Sequence, residues 1–95
     1  MTYILVSYDI SDNHVRLRVS EKLKALGLVR IQRSVFIGRG GFFKAKEVYR
    51  GIVGLVKGEA DSVFITIIPT NNINRSIVIG RLMANPFIME KYLVI

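Results

Sequence analysis

A chain of 95 residues suffices for one domain and no more. It contains no cysteine and a single histidine, His14, which excludes disulfides, thiolate metal sites and any two-histidine metal site. Its formal net charge of +7, with arginines outnumbering lysines, points to a phosphate-rich polyanion as partner, although solubility alone is served by the same surplus.

Hydrophobic residues make up 51% of the chain. A domain this small buries only a little over ~60% of its unfolded surface. Some of the apolar surface is therefore expected to lie against a second subunit. The longest apolar stretch, Val63 to Ile68, is interrupted by Thr66 and falls far short of the roughly 20 residues of a membrane helix. The N-terminus reads straight into a strand, without the pattern of a secretory leader, so the expected location is cytoplasmic.

Tyr3 to Ile10 alternates as a strand, with Ile4, Val6, Tyr8 and Ile10 on one face and Tyr3, Leu5, Ser7 and Asp9 on the other. Ser11, Asp12 and Asn13 then offer helix N-caps. His14 to Leu26 carries a helical stripe of Val15, Val19, Leu23 and Leu26, and Gly27 is a natural stop. Leu28 to Arg39 is rich in β-branched residues and reads either as one bent strand or as two strands turning near Arg33 and Ser34. Gly38, Gly40 and Gly41 break it. Phe43 to Lys57 predicts a second helix with Ala45, Val48, Tyr49, Ile52 and Val56 inward and Gly51 and Gly54 on its polar side. Ser62 to Ile68 predicts a strand ended by Pro69, Asn71 and Asn72 a turn, and Ser76 to Gly80 a further short strand. The tail ends in the strand-like Tyr92 to Ile95.

This order predicts an α+β sandwich, with two helices on one face of a small sheet. The opposite face, bearing Tyr3 and Leu5, would be bare in a monomer, and a second copy of the chain is the economical cover.

Asp9 closes the first strand just before a helix. It reads either as an oxygen ligand for a hard cation such as Mg²⁺ or as an ordinary strand-end aspartate. Arg16 and Arg18 begin the first helix, where they either bind phosphate or form a solvated face. Arg30, Arg33 and Arg39 add charge along the middle strands. Phe36, set among them, either stacks on a base or fills the core or a dimer seam. Gly38 to Phe43 lacks the last glycine of a dinucleotide fingerprint and the alternating aromatics of an RNA-recognition motif. His14 reads as a surface helix residue, and no serine or cysteine nucleophile has a base beside it.

Taken in order, the chain resembles the CRISPR-associated protein 2 family. The resemblance rests on Tyr8-Asp9-Ile10 after an apolar strand and on Arg16-Leu17-Arg18-Val19 in the first helix. It continues through Leu26-Gly27-Leu28, Arg30-Ile31-Gln32, Ser34-Val35-Phe36, Pro69 and Val78-Ile79-Gly80, covering at least residues 3 to 80. It implies a ferredoxin-like sandwich, an antiparallel sheet with two helices on one face plus a C-terminal strand. It implies one domain over residues 1–95, in a homodimer of facing sheets where residues from about 81 to 95 pack on the partner subunit. Two copies of Asp9 would then meet at the two-fold axis and share Mg²⁺.

The implied activity is metal-dependent endonucleolytic cleavage of RNA or DNA, with CRISPR-associated protein 1, the integrase, as partner in spacer acquisition. Asp9 matches the family's metal aspartate. Arg16, Arg18, Arg30 and Phe36 match positions linked to nucleic-acid handling. The family often has an aromatic where Arg33 stands and an acidic residue where Ile37 stands, and both departures favour phosphate binding here. With one carboxylate per subunit and no evident general base, two alternatives stay open: a non-catalytic DNA-binding scaffold for the integrase, and a toxin-type ribonuclease on the same fold.

Overall fold

The alternation of apolar residues in the first strand becomes an alternation of contacts in the computed structural model, which describes residues 1–84 and the strand Leu93–Val94. Strand β1 (Thr2–Asp9) sends Ile4, Val6 and Tyr8 into the main core. Helix α1 (Asn13–Ala25) and helix α2 (Phe42–Ile52) cover that face, contributing Val19 and Leu23 from one and Val48 and Ile52 from the other. Burying each such aliphatic side chain is worth ~1.5–3 kcal/mol relative to leaving it in water.

The other strands are β2 (Val29–Gln32), β3 (Val35–Arg39) and β4 (Ser62–Pro69). The sheet order is β2-β3-β1-β4, and every neighbouring pair is antiparallel. With two helices on one face, this is the ferredoxin-like α+β sandwich. The central place of β1 matters for function, because its C-terminal end opens onto the turn that leads into α1.

Local chemistry accounts for the helix ends. The Asp12 carboxylate accepts a hydrogen bond from the Val15 amide at 3.1 Å and so caps α1. At the other end the Gly27 amide donates to the Lys24 carbonyl and the Leu28 amide to the Leu23 carbonyl. This is the Schellman arrangement, and it requires the positive φ of +92° that Gly27 adopts. Helix α2 ends at Ile52 and tightens into a 3₁₀ turn over Val53–Leu55, several residues before the expected Lys57. Gly51 is half-buried on the side facing α1, and not on a polar side. A Cβ there would stand 3.1 Å from Lys22 Cε and 3.3 Å from Leu26 Cδ1, so the glycine lets the helices approach.

Leu28 to Arg39 resolves into two strands turning at Arg33 and Ser34. Neither turn residue has positive φ, so the turn is not of the mirror-image kind that follows strand twist most naturally. The ladder takes up the mismatch as a register shift between Arg30 and Gln32. Asn71 and Asn72, expected as a turn, lie instead in one short helix, α3 (Thr70–Asn74). It plugs Ile73 into the second sheet face, where Tyr3, Ile31 and Ile37 are also buried and Leu82 packs against them.

The expectation that this face is bare is thereby corrected for part of its area, since Tyr3 is buried under the chain's own α3 and the segment at Leu82. Leu5 is half-buried, while Phe64, opposite Ser7 on the same face, stays 64% exposed. The last strands, β5 (Ile77–Val78) and β6 (Leu93–Val94), pair in parallel as a separate two-stranded sheet. The remainder of the expected C-terminal strand and of the tail lies outside the described residues.

Candidate nucleic-acid interface

Asp9 is the last residue of β1. It is exposed, lies opposite Ser62 of β4, and by strand alternation points away from the helices. No hydrogen bond or ion pair engages its carboxylate among the described residues. The turn after it is held from two sides. Arg16 Nη1 donates to the carbonyls of Ile10 at 2.9 Å and Ser11 at 3.1 Å, and the Ser11 amide donates to Asp61 Oδ1 at 3.0 Å. Charge-assisted bonds of this type are shorter and stronger than neutral ones, so they hold the backbone beside Asp9 in place.

Magnesium usually takes one or two carboxylates and completes its shell with water and substrate phosphate. Asp9 fits that donor set with its two uncommitted oxygens. Among the described residues no group of three or more acidic, histidine or cysteine side chains assembles.

A basic groove of about 240 Å³ runs between α1 and the β2–β3 turn. Its lining includes Arg16 and Lys24 from the helix, Arg30, Arg33 and Ser34 from the hairpin, and Tyr8, with no carboxylate among the described residues. Residues 16, 20 and 24 fall on one helical stripe, which is why the helix presents Arg16 and Lys24 together. Arg18, two positions on, turns to another side. It lies with Glu21, Lys22 and Gly51 in a shallow depression between the helices. Arg16, Arg30 and Arg33 are therefore brought together, and Arg18 is set apart from them.

Phe36 corrects the sequence expectation. It is 0% exposed and belongs to the core cluster, so its ring is not offered to a base. It acts indirectly. Arg30 is its cross-strand partner, and the Arg30 guanidinium lies over the Phe36 ring, 5.1 Å from the centroid. Tyr8 backs the same ring at 6.3 Å. Arg30 Nε is buried and has no hydrogen-bond partner among the described residues. Arg39 lies over the Tyr3 ring at 5.9 Å, at the far end of β3 from the turn.

Sequence reasoning missed Lys24 and Asp61. Lys24 was legible as the residue two turns beyond Arg16 on the same stripe. Asp61 carried no local signal, because its role depends on β4 lying beside β1. The surface ion pair Lys44–Glu47, at 2.8 Å, is remote in sequence from the groove. The hydrogen bond and charge of Lys44 hold the Glu47 carboxyl below the usual glutamate range.

Fold and site together describe a small ferredoxin-like protein with an exposed strand-end carboxylate and a basic groove. Residues 1–76 match the family model of CRISPR associated protein Cas2. The chain is 36% identical over 80 residues to the CRISPR-associated endoribonuclease Cas2 of Aeropyrum pernix, covering 84% of this chain and 87% of that protein. It is 38% identical over 78 residues to CRISPR-associated endoribonuclease Cas2 2 of Pyrobaculum aerophilum, covering 82% and 86%. A solved crystal structure of cas2 superposes with a TM-score of 0.62 at 34% identity, over 72% of this chain and 75% of the other. The chain belongs to the CRISPR-associated Cas2 family. No helix among the described residues is long and apolar enough to cross a membrane.

Proposed function

We propose that this protein is a magnesium-dependent CRISPR-associated endonuclease that cleaves phosphodiester bonds of single-stranded RNA or duplex DNA and acts as a homodimer in the cytoplasm. The observation that carries the reading is the uncommitted Asp9 carboxylate on a turn pinned by Arg16 and Asp61, in a chain whose neighbouring groove gathers four cations. Its relatives from Aeropyrum pernix and Pyrobaculum aerophilum are named endoribonucleases, which supports the reaction class.

Cleavage is in-line attack of water on phosphorus: one P–O bond forms, the bond to the leaving oxygen breaks, and that oxygen takes a proton. Asp9 would hold the magnesium ion, which would polarise the water and offset phosphate charge. Arg16 fixes the turn that carries Asp9. Arg30 and Arg33 hold nucleic-acid backbone, and Arg18 extends the basic surface onto the other side of α1.

The dimer is supported by the apolar surface left on the second sheet face, where Phe64 is exposed beside half-buried Leu5 and where Ile77 and Ile79 are largely open to solvent. Pairing through this face brings two copies of Asp9 to the same side, so that each supplies one carboxylate. A Cas1/Cas2 fusion from Thermoproteus tenax, 36% identical over 75 residues covering 79% of this chain and 28% of the fusion, supports the integrase as partner.

One observation favours a second reading, a DNA-binding scaffold for the integrase without cleavage: among the described residues Asp9 has no acidic or histidine cluster around it. The purified chain incubated with single-stranded RNA and with duplex DNA separates the two. Magnesium-dependent cleavage that a chelator abolishes is the expected result. Binding without cleavage under any divalent metal would establish the scaffold.

A further inference from the structure

We infer that the groove between α1 and the β2–β3 turn anchors a nucleic-acid phosphate other than the one being cut, with Lys24 and Arg33 as its outer cations and Arg30 as its inner one. The biological ligand rests on the nucleic-acid reading above, whereas the anion chemistry rests on the groove alone.

Among the described residues, four cationic side chains and no carboxylate line about 240 Å³ of concave surface. Neither Lys24 nor Arg33 makes an ion pair among the described residues. Clustered like charges repel one another, and an entering anion relieves that repulsion at every member at once. Arg30 is the best prepared of the four. The face of Phe36 orients its guanidinium, and its Nε is buried without an acceptor among the described residues. A guanidinium held in one plane suits the paired oxygens of a phosphate, which it grips with two parallel N–H groups. Ser34 adds a hydroxyl at the rim.

Strand alternation separates this groove from Asp9. Tyr8 lines the groove on the helix side of the sheet, and the next side chain, Asp9, points to the opposite face. A phosphate in the groove is thus not the phosphate at the Asp9 carboxylate of the same chain. The strand being cut has to pass around the end of β1 to reach both, so the groove fixes the substrate at a distance from the scissile bond.

The test measures binding, in chelator, so that cleavage plays no part. Wild type and the double variant Lys24→Ala/Arg33→Ala are titrated with a short single-stranded RNA bearing either a 5′-hydroxyl or a 5′-phosphate, over a range of salt. Both replaced residues are exposed, so the variant should keep the wild-type melting temperature. The expected result is a loss of affinity of tenfold or more, with the salt slope of log K reduced by about 0.7 for each phosphate that the variant no longer neutralises. Equal loss on both RNAs identifies an internal phosphodiester as the ligand, and loss confined to the 5′-phosphorylated RNA identifies a terminal monophosphate. Unchanged affinity and slope on both RNAs would overturn the inference, as would failure of wild type to bind either. A wild type that never cleaves, but whose binding still drops in the variant, would remove the nuclease reading and leave the anchor standing.

Discussion

Replacing Phe36 by leucine distinguishes a ring that supports the site from a ring that touches nucleic acid. Phe36 is fully buried, with the Tyr8 ring 6.3 Å and the Arg30 guanidinium 5.1 Å from its ring centroid. Leucine keeps the apolar character, and a near volume-conserving swap of this kind costs under ~1.5 kcal/mol. Loss of the aromatic pair adds ~0.5–1.5 kcal/mol, and loss of the cation–π interaction adds ~0.5–2 kcal/mol. A central total of about 3 kcal/mol lowers the melting temperature of a domain this size by about 12–24 °C, at ~4–8 °C per kcal/mol.

RNA affinity completes the argument. A base-stacking Phe36 would contribute ~1–3 kcal/mol of binding by itself. A buried Phe36 acts only by aiming Arg30, so Phe36→Leu should weaken binding in the wild-type background and change nothing in an Arg30→Ala background. The assay is thermal unfolding by circular dichroism, together with a double-mutant cycle of RNA affinities measured well below the lowered transition. An unchanged melting temperature, or a full loss of affinity persisting in the Arg30→Ala background, would refute the reasoning.

Two further predictions concern the helices. Asp12→Ala removes the cap on the Val15 amide and should cost ~1 kcal/mol, seen as a fall of about 4–8 °C in melting temperature; an unchanged melt would show that water replaces the cap without loss. The Glu47 carboxyl, held low chiefly by its hydrogen bond from Lys44, should titrate below the ordinary glutamate range in a carboxyl NMR titration, and Lys44→Ala should return it to that range. Because its folded pKa is depressed, the support this pair lends α2 is complete above the ordinary glutamate value of 4.5 and fades as pH falls through the lowered one.

Much of the fold was legible in the sequence because β1 alternates cleanly and α1 carries its own start and stop in Asp12 and Gly27. The β2–β3 turn is ambiguous in sequence for a physical reason: Arg33 and Ser34 lack the glycine or asparagine that marks a tight hairpin, and the chain meets that cost with a register shift. Asn71 and Asn72 read as a turn because asparagine is a poor helix former, yet burial of Ile73 outweighs the propensity. The cover over Tyr3 comes from residues some seventy positions away in the chain, which no local pattern reveals.

At the site, the strand-end position of Asp9 followed from strand periodicity, whereas the gathering of Arg16 with Arg30 and Arg33 needed the fold, since the sequence grouped Arg16 with Arg18 instead. Phe36 did not, because both faces of β3 carry apolar residues and only the packing of α1 and α2 decides which of them is inside. The separation of Arg18 from Arg16 was readable as a half-turn of helix, whereas the binding of Arg16 to the Ile10 and Ser11 carbonyls needed the folded turn.

The most direct test of the account is the rate of RNA cleavage by wild type and by Asp9→Asn, side by side, with magnesium and with chelator. Asparagine keeps the size of the side chain and removes the charge that a hard cation prefers, and the Asp9 carboxylate makes no hydrogen bond or ion pair among the described residues whose loss would unfold the chain. The account predicts that Asp9→Asn folds, forms the same dimer and binds RNA at least as tightly as wild type, while its magnesium-dependent cleavage falls by orders of magnitude. Equal cleavage by the two proteins would contradict it.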